Sequence, residues 1–290
     1  MAKYKIFTDA TSDLTRECFT DLPTVEIIPM IISVDGKEYT YGDDGNLTID
    51  EFYGMLRSGK YASTAAINPS MYAENFEPAL KEGMDILYLC FSSGMSSMFQ
   101  NALSAAEILK ESYPDRTIIC MDTLCAALGE GLFVLEAASR QKEGMKIEEL
   151  SDWLYRHRLN LCHWFAVDRF DHLLHGGRVS IASAAVGTIL DIKPILHVDN
   201  YGKLEVVTKV RGYKKAIRTL TEKMRTGWCP EISKSVLVGH GDDPKMAELI
   251  KDEIAACFPE ADIRIIEIGP VIGAHTGPGM FAVLFWGNAR

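Results

Sequence analysis

Apolar and polar positions fall into two alternating rhythms along this chain of 290 residues. Short apolar runs, too brief for helices, are separated by longer stretches whose apolar residues recur three and four apart. Ile6–Thr8 predicts a short strand that empties into the polar segment Asp9–Asp13. Val25–Val34 is β-rich, with Pro29 set to interrupt it or hold it at an edge, because proline lacks a ladder N–H. Thr48 followed by Glu51 has the spacing of a capping box, and Asn68-Pro69 offers a cap followed by a first-turn proline. Met84–Phe91 is apolar almost throughout, as expected of a parallel strand covered on both faces. Met95, Met98, Phe99, Ala102, Leu103 and Ala106 then mark one apolar helix face. Thr117–Met121 predicts another strand, and helical patterns run on to about His157.

After that point the rhythm changes. Cys162–Val167 predicts a strand, and Phe170–Arg178 a short helix that ends at Gly176-Gly177. Ile192–Val198 and Lys203–Val210 flank the turn Asp199–Gly202, a hairpin pattern. Tyr213, Ala216, Ile217, Leu220 and Met224 define an amphipathic helix, and Ser235–Gly239, Asp262–Ile268 and Met280–Trp286 supply further strands. The expected fold is therefore α/β in two domains. Residues 1–160 form an open, mainly parallel sheet with flanking helices, and residues 161–290 a second α/β domain with a mixed sheet. Ligands on open α/β sheets collect at the carboxyl ends of strands, where Asp9, Ser93 and Asp122 fall.

Charge narrows the partners. The net charge of −10 argues against a nucleic-acid coat, which needs a basic footprint. Seven scattered cysteines without a C-x-x-C pair predict neither zinc nor a disulfide framework. No apolar stretch is long enough to cross a bilayer, and the first residues enter a strand at once without a leader pattern, so a soluble, cytoplasmic protein is expected.

Two glycine- and serine-rich segments carry the candidate chemistry. Gly269–Gly279 places His275 among four glycines and two prolines, a loop that brings backbone N–H groups and an imidazole close to something small. The serine segment Ser92–Ser97 lies between a strand and a helix, where free N–H groups and the helix dipole favour an anion. Ser93 and Ser96 are either ligand donors there or plain helix caps. His275 reads as a base, a shared donor or a structural turn residue. Arg178 reads as the partner of a carboxylate or as a link between the domains. Arg211, Lys214, Lys215 and Arg218 gather on and beside one helix of an acidic chain, either as a solvated face or as a dock for an acidic protein or an anionic membrane surface.

Taken together, Thr8–Asp13, Thr64–Pro69, Phe91–Ser96, Gly176–Arg178, Ile192–Ile195 and Gly269–Gly279 occur in the order seen in the DegV family, which the chain resembles over its whole length. The resemblance implies a bacterial fatty-acid-binding protein that holds one acyl chain in a tunnel between two α/β domains, with no cofactor and no catalysis of its own. It implies a carboxylate held by Thr64, by Ser93 with Ser96 beside it, and by His275. Gly94, Gly273 and Thr276 surround that head group, and Arg178 and Asp9 are further ligand or interdomain contacts. It implies presentation of the acid to a separate ATP-dependent fatty-acid kinase that forms acyl phosphate, for which the basic cluster of Arg211, Lys214 and Lys215 is the docking face expected from the sequence itself. Two departures stand out: Ala65-Ala66 replaces the usual Ser-Gln after the threonine, and Met98 stands where the serine segment commonly continues with small polar residues. The competing expectations are a serine esterase or acyltransferase using Ser93 and His275 with Asp9 or Asp122, and a phosphate- or nucleotide-binding module. The latter lacks both G-x-G-x-x-G and a P-loop.

Overall fold

The computed structural model describes residues 3–180 and 191–290. Four parallel strands form the first sheet in the order β2-β1-β6-β7: β1 (Tyr4–Asp9), β2 (Glu26–Ile28), β6 (Asp85–Cys90) and β7 (Ile118–Asp122). Both faces of β6 are covered, which accounts for its apolar run Ile86–Cys90. Ile86, Tyr88 and Cys90 face the core built with helices α2 (Pro69–Lys81) and α3 (Met98–Ser112). Leu87 and Leu89 face the opposite core, with α4 (Leu128–Lys142) and α5 (Ile147–His157).

The second sheet is mixed and six-stranded. Its order is β10-β9-β8-β13-β11-β12, from β8 (Leu161–Ala166), β9 (Ile192–Val198), β10 (Leu204–Arg211), β11 (Ser235–His240), β12 (Asp262–Glu267) and β13 (Phe281–Trp286). Side chains alternate along β13: Ala282, Leu284 and Trp286 enter the core shared with α4. Phe281, Val283 and Phe285 enter the outer core. That outer core is covered by two helices, which we label α7 (Tyr213–Gly227) and α8 (Pro244–Cys257). Helix α6 (Asp171–His175) is the short helix expected before Gly176.

Helix α4 touches β6 of one sheet and β8, β11 and β13 of the other. Leu128–Leu135 are all buried, as suits a helix enclosed on every side. Two of its glycines permit this. A Cβ on Gly129 would come 2.0 Å from His163 Nε2, and one on Gly131 would come 2.6 Å from the Ser12 carbonyl. Neither distance is possible for a real side chain, so these positions let the helix approach its neighbours directly.

Pro29 interrupts the β-rich run Val25–Val34 as expected, splitting it into β2 and β3 (Met30–Val34), which join different sheets. Strand β3 is the centre of a small antiparallel sheet with β4 (Lys37–Tyr41) and β5 (Ala62–Thr64). The segment Gly269–Gly279 is not a loop throughout: Pro270–Thr276 forms helix α9, with proline at its first turn and Gly277 (φ 73°) ending it. The capping box at Thr48 and the Asn68 cap form as expected, opening α1 (Ile49–Arg57) and α2.

Candidate functional site

Thr64 is the last residue of β5, paired across the ladder with Ile32 of β3. Helix α9 packs against β5, and His275 lies in its final turn. Threonine Oγ1 and histidine Nε2 thereby meet at 2.9 Å although the residues are 211 positions apart. The other ring nitrogen, Nδ1, is buried without a partner. It faces Gly176, where even a Cβ would approach it to 2.1 Å.

That crowding decides the tautomer. An N–H pointed at carbon is costly to bury, whereas an unfilled acceptor is more easily tolerated. The proton therefore belongs on Nε2, which donates to Thr64 Oγ1. The threonine hydroxyl hydrogen is then free to serve another acceptor. Burial, with the charges of Arg178, His175 and His172 added, pushes the His275 pKa down to about 4, so the ring is neutral near pH 7.

Thr64 and His275 line a cavity together with Ser96, Arg178 and Thr276. Its remaining wall is largely apolar, with Met30, Phe91, Met98, Phe165, Leu173 and Leu284 among the residues that line it. These residues come from both the first and the second half of the chain. The void, mouth included, measures about 900 Å³. The site is thus a greasy slot with a few hydrogen-bonding groups, the usual makeup of a small-molecule pocket.

The remaining expected site residues divide between the cavity wall and positions outside it. Ser93 is exposed, and its hydroxyl donates to Asp122 Oδ2 at 2.5 Å while its N–H donates to Asp122 Oδ1 at 3.1 Å. Ser96 is the serine of this segment that lines the cavity, with its Oγ 3.3 Å from the Met98 N–H. Gly94 packs against the turn at Tyr201-Gly202, where a Cβ would come 2.5 Å from the Tyr201 carbonyl. Gly273 lets α9 close on α1, with Phe52 and Tyr53 within 2.8 Å of where a Cβ would stand. Asp9 is fully buried behind the cavity wall and is bound by Thr11 and Tyr88. The pairing needed for an esterase is not assembled, since His275 meets Thr64 and Ser93 meets Asp122. Among the described residues no cluster of His, Cys, Asp and Glu is suited to a metal ion, and no helix is long and apolar enough to cross a membrane.

The model of the DegV family, described as one of uncharacterised proteins, matches residues 3–288. This chain belongs to the DegV family. A DegV domain-containing protein of Clostridium perfringens is 39% identical over 290 residues, covering all of this chain and 99% of the relative. Among solved structures, a fatty-acid-binding DegV family protein from Thermus thermophilus aligns over 98% of this chain and 99% of its own, at 29% identity and a TM-score of 0.85. The Streptococcus pneumoniae fatty acid kinase B3 protein, solved with linoleic acid, is 22% identical over 98% of this chain and 99% of its own, with a TM-score of 0.86, and shares the fold.

Within this DegV chain, sequence reasoning passed over residues that matter to the site's surroundings. Thr11 lines the cavity and bonds to Glu130 on α4. The glutamate sits in a GEG triplet, a charged residue inside an apolar helix pattern, and that was the available signal. Tyr61 packs, tilted, beside His172 and His175 with ring centroids 5.1 and 4.8 Å apart, next to the strand that carries Thr64. Nothing in the spacing along the chain brings those three together.

Proposed function

We propose that this protein binds one long-chain fatty acid in the slot, its carboxylate held at the Thr64–His275 pair. The observation that carries the reading is that pair, set 2.9 Å apart in the wall of a cavity that is otherwise mostly apolar. A buried carboxylate needs hydrogen-bond donors, because an unpaired charge in an apolar site is very costly. The Thr64 hydroxyl supplies one, Ser96 and Thr276 stand in the same wall, and Arg178 supplies positive charge. Ser93, on the outside, is left to brace its loop through Asp122. Each methylene of the tail contributes about 0.8 kcal/mol on burial, so the chain dominates affinity and the head group sets orientation. Met30, Met95, Met98 and Met280 line the slot, and their unbranched side chains let it reshape around a tail longer than its free space. The fatty-acid-binding relative from Thermus thermophilus, alike over nearly the full length of both chains, supports this reading.

The ligand lies between residues 1–160 and 161–290, taken as two α/β domains. The protein acts as a carrier that needs no cofactor and presents the acid to an ATP-dependent kinase for acyl-phosphate formation. The fold it shares with the kinase B3 protein of Streptococcus pneumoniae suits that role.

Lipid mass spectrometry of the protein purified from bacteria and then denatured should recover about one acyl chain per molecule. Recovery of none, together with no binding of added palmitate, rejects the reading.

Docking is assigned to α7 and the end of β10, where Lys214, Lys215 and Arg218 of the helix and Arg211 of the strand line a groove with Glu222 as its acidic neighbour. Reversing Arg211, Lys214 and Lys215 to glutamate should slow acyl-phosphate production about tenfold or more at low salt while palmitate binding stays unchanged. Loss of binding to anionic vesicles with kinase turnover intact would assign the face to membrane instead.

A further inference from the structure

Asp9, at the end of β1, and Glu130, in the first turn of α4, are both fully buried. Thr11 stands between them, its Oγ1 2.5 Å from Asp9 Oδ1 and 2.8 Å from Glu130 Oε2. A hydroxyl has one hydrogen to give. If both acids were ionised, one of these two contacts would set bare oxygen against bare oxygen, so one carboxyl must carry a proton.

The surroundings decide which. Asp9 also accepts from the Thr11 N–H at 3.0 Å and from the Tyr88 hydroxyl at 2.6 Å. Tyr88 is in turn free to accept from Tyr72, 2.7 Å away. Glu130 has one other contact, Oε1 to Thr8 Oγ1 at 2.9 Å, and that hydroxyl also faces the Leu89 carbonyl at 3.2 Å. Asp9 is the better furnished anion.

We propose that Glu130 is a neutral carboxylic acid near pH 7 that donates to Thr11, which donates to Asp9, and that this relay holds Thr11 in the cavity wall. Glu130 is thus a positioning residue that acts through Thr11. Burial pushes both acids upward, Glu130 well above the ordinary carboxylate range, and the negative charges of Asp9 and Asp13 push it further. The other titratable groups at the cluster are Tyr88, Tyr72 and Cys90, neutral near pH 7 because burial raises them too, and Asp13, whose carboxyl burial also pushes well above the ordinary range against the lowering effect of the Gly269 N–H. Asp13 accepts the Gly269 N–H at 2.9 Å, at the start of the helix that carries His275.

An acid raised in the folded state stabilises fully below its unfolded value and loses that contribution as pH climbs through the folded one. Raising pH should therefore loosen this strut. The infrared spectrum of the wild-type protein near neutral pH should show a protonated-carboxyl stretch above the amide band, lost in Glu130→Gln. Its absence from the wild type overturns the proposal and requires no variant. Glutamine keeps a donor for Thr11, so Glu130→Gln should fold and melt with a slope at least halved between about pH 6 and about pH 9. Equal slopes overturn the proposal. Asp9→Asn should be strongly destabilised, since its amide faces donors. If instead Asp9→Asn is tolerated and Glu130→Gln is not, the proton sits on the other acid and the assignment fails.

The consequence for ligand rests on the fatty-acid reading: palmitate affinity should fall with rising pH in the wild type and stay level in Glu130→Gln. A level wild-type profile overturns the cavity role of the relay. Failure of either protein to bind palmitate at any pH overturns that role along with the fatty-acid reading, and the infrared and melting results still decide the protonation state.

Discussion

Thr64→Val should weaken palmitate binding by about 1–3 kcal/mol, roughly five- to 150-fold in Kd. Valine matches threonine in shape, so the wall keeps its form and only the hydroxyl is lost. Two costs then coincide. The carboxylate loses the one donor that the His275 tautomer leaves free for it, and the Nε2–H of His275 loses its acceptor. Thr64→Ser retains the hydroxyl and should stay within a fewfold of wild type. Isothermal titration with palmitate separates the outcomes. An unchanged Kd for Thr64→Val would move the carboxylate to another part of the cavity, with Arg178 the next place to look.

The second large effect concerns acid stability. His275 titrates at about 4 in the folded protein against 6.5 for an ordinary histidine. Between those values the unfolded chain binds a proton that the folded one refuses. Stability contributed by the neutral ring is complete above about pH 6.5, falls as pH drops toward 4, and levels off below. The whole step is about 3 kcal/mol. Buried His163 and His240 and half-buried His172 are also shifted down, so they tilt the curve the same way. The difference between wild type and His275→Gln isolates the one ring. Urea unfolding at a series of pH values should show the variant losing less stability on acidification. Parallel curves would mean that His275 is not shielded as the packing of Gly176 implies.

How much of this could be read from the chain depends on the distance over which each feature is decided. The strands around Met84–Phe91 and Thr117–Met121 and the caps at Thr48 and Asn68 are local matters of hydrophobic period and side-chain reach, and they form as expected. Pro29 was recognised as a break, yet that it passes the chain from one sheet to another is a choice of partner strand, which periodicity does not encode. Gly269–Gly279 misled because its glycines suggested an open loop. They serve instead to let a short helix press against Phe52 and Tyr53. His275 stood out for its glycine-rich surroundings and Thr64 through the family resemblance, and their meeting follows from the packing of α9 on β5. Ser93 stood out for its place between a strand and a helix and faces outward, because Asp122 at the end of the neighbouring strand claims both its N–H and its hydroxyl. Glu130 was hidden by the apolar helix around it.

Helix α4 belongs to both sheets at once, which bears on how the molecule comes apart. A fragment cut near residue 160 would keep this helix but leave a broad oily flank of it bare, inviting self-association. The remaining fragment would lose the cover over the inner side of β8 and β13. Neither piece makes a sound stand-alone unit, because the one helix is riveted to both sheets.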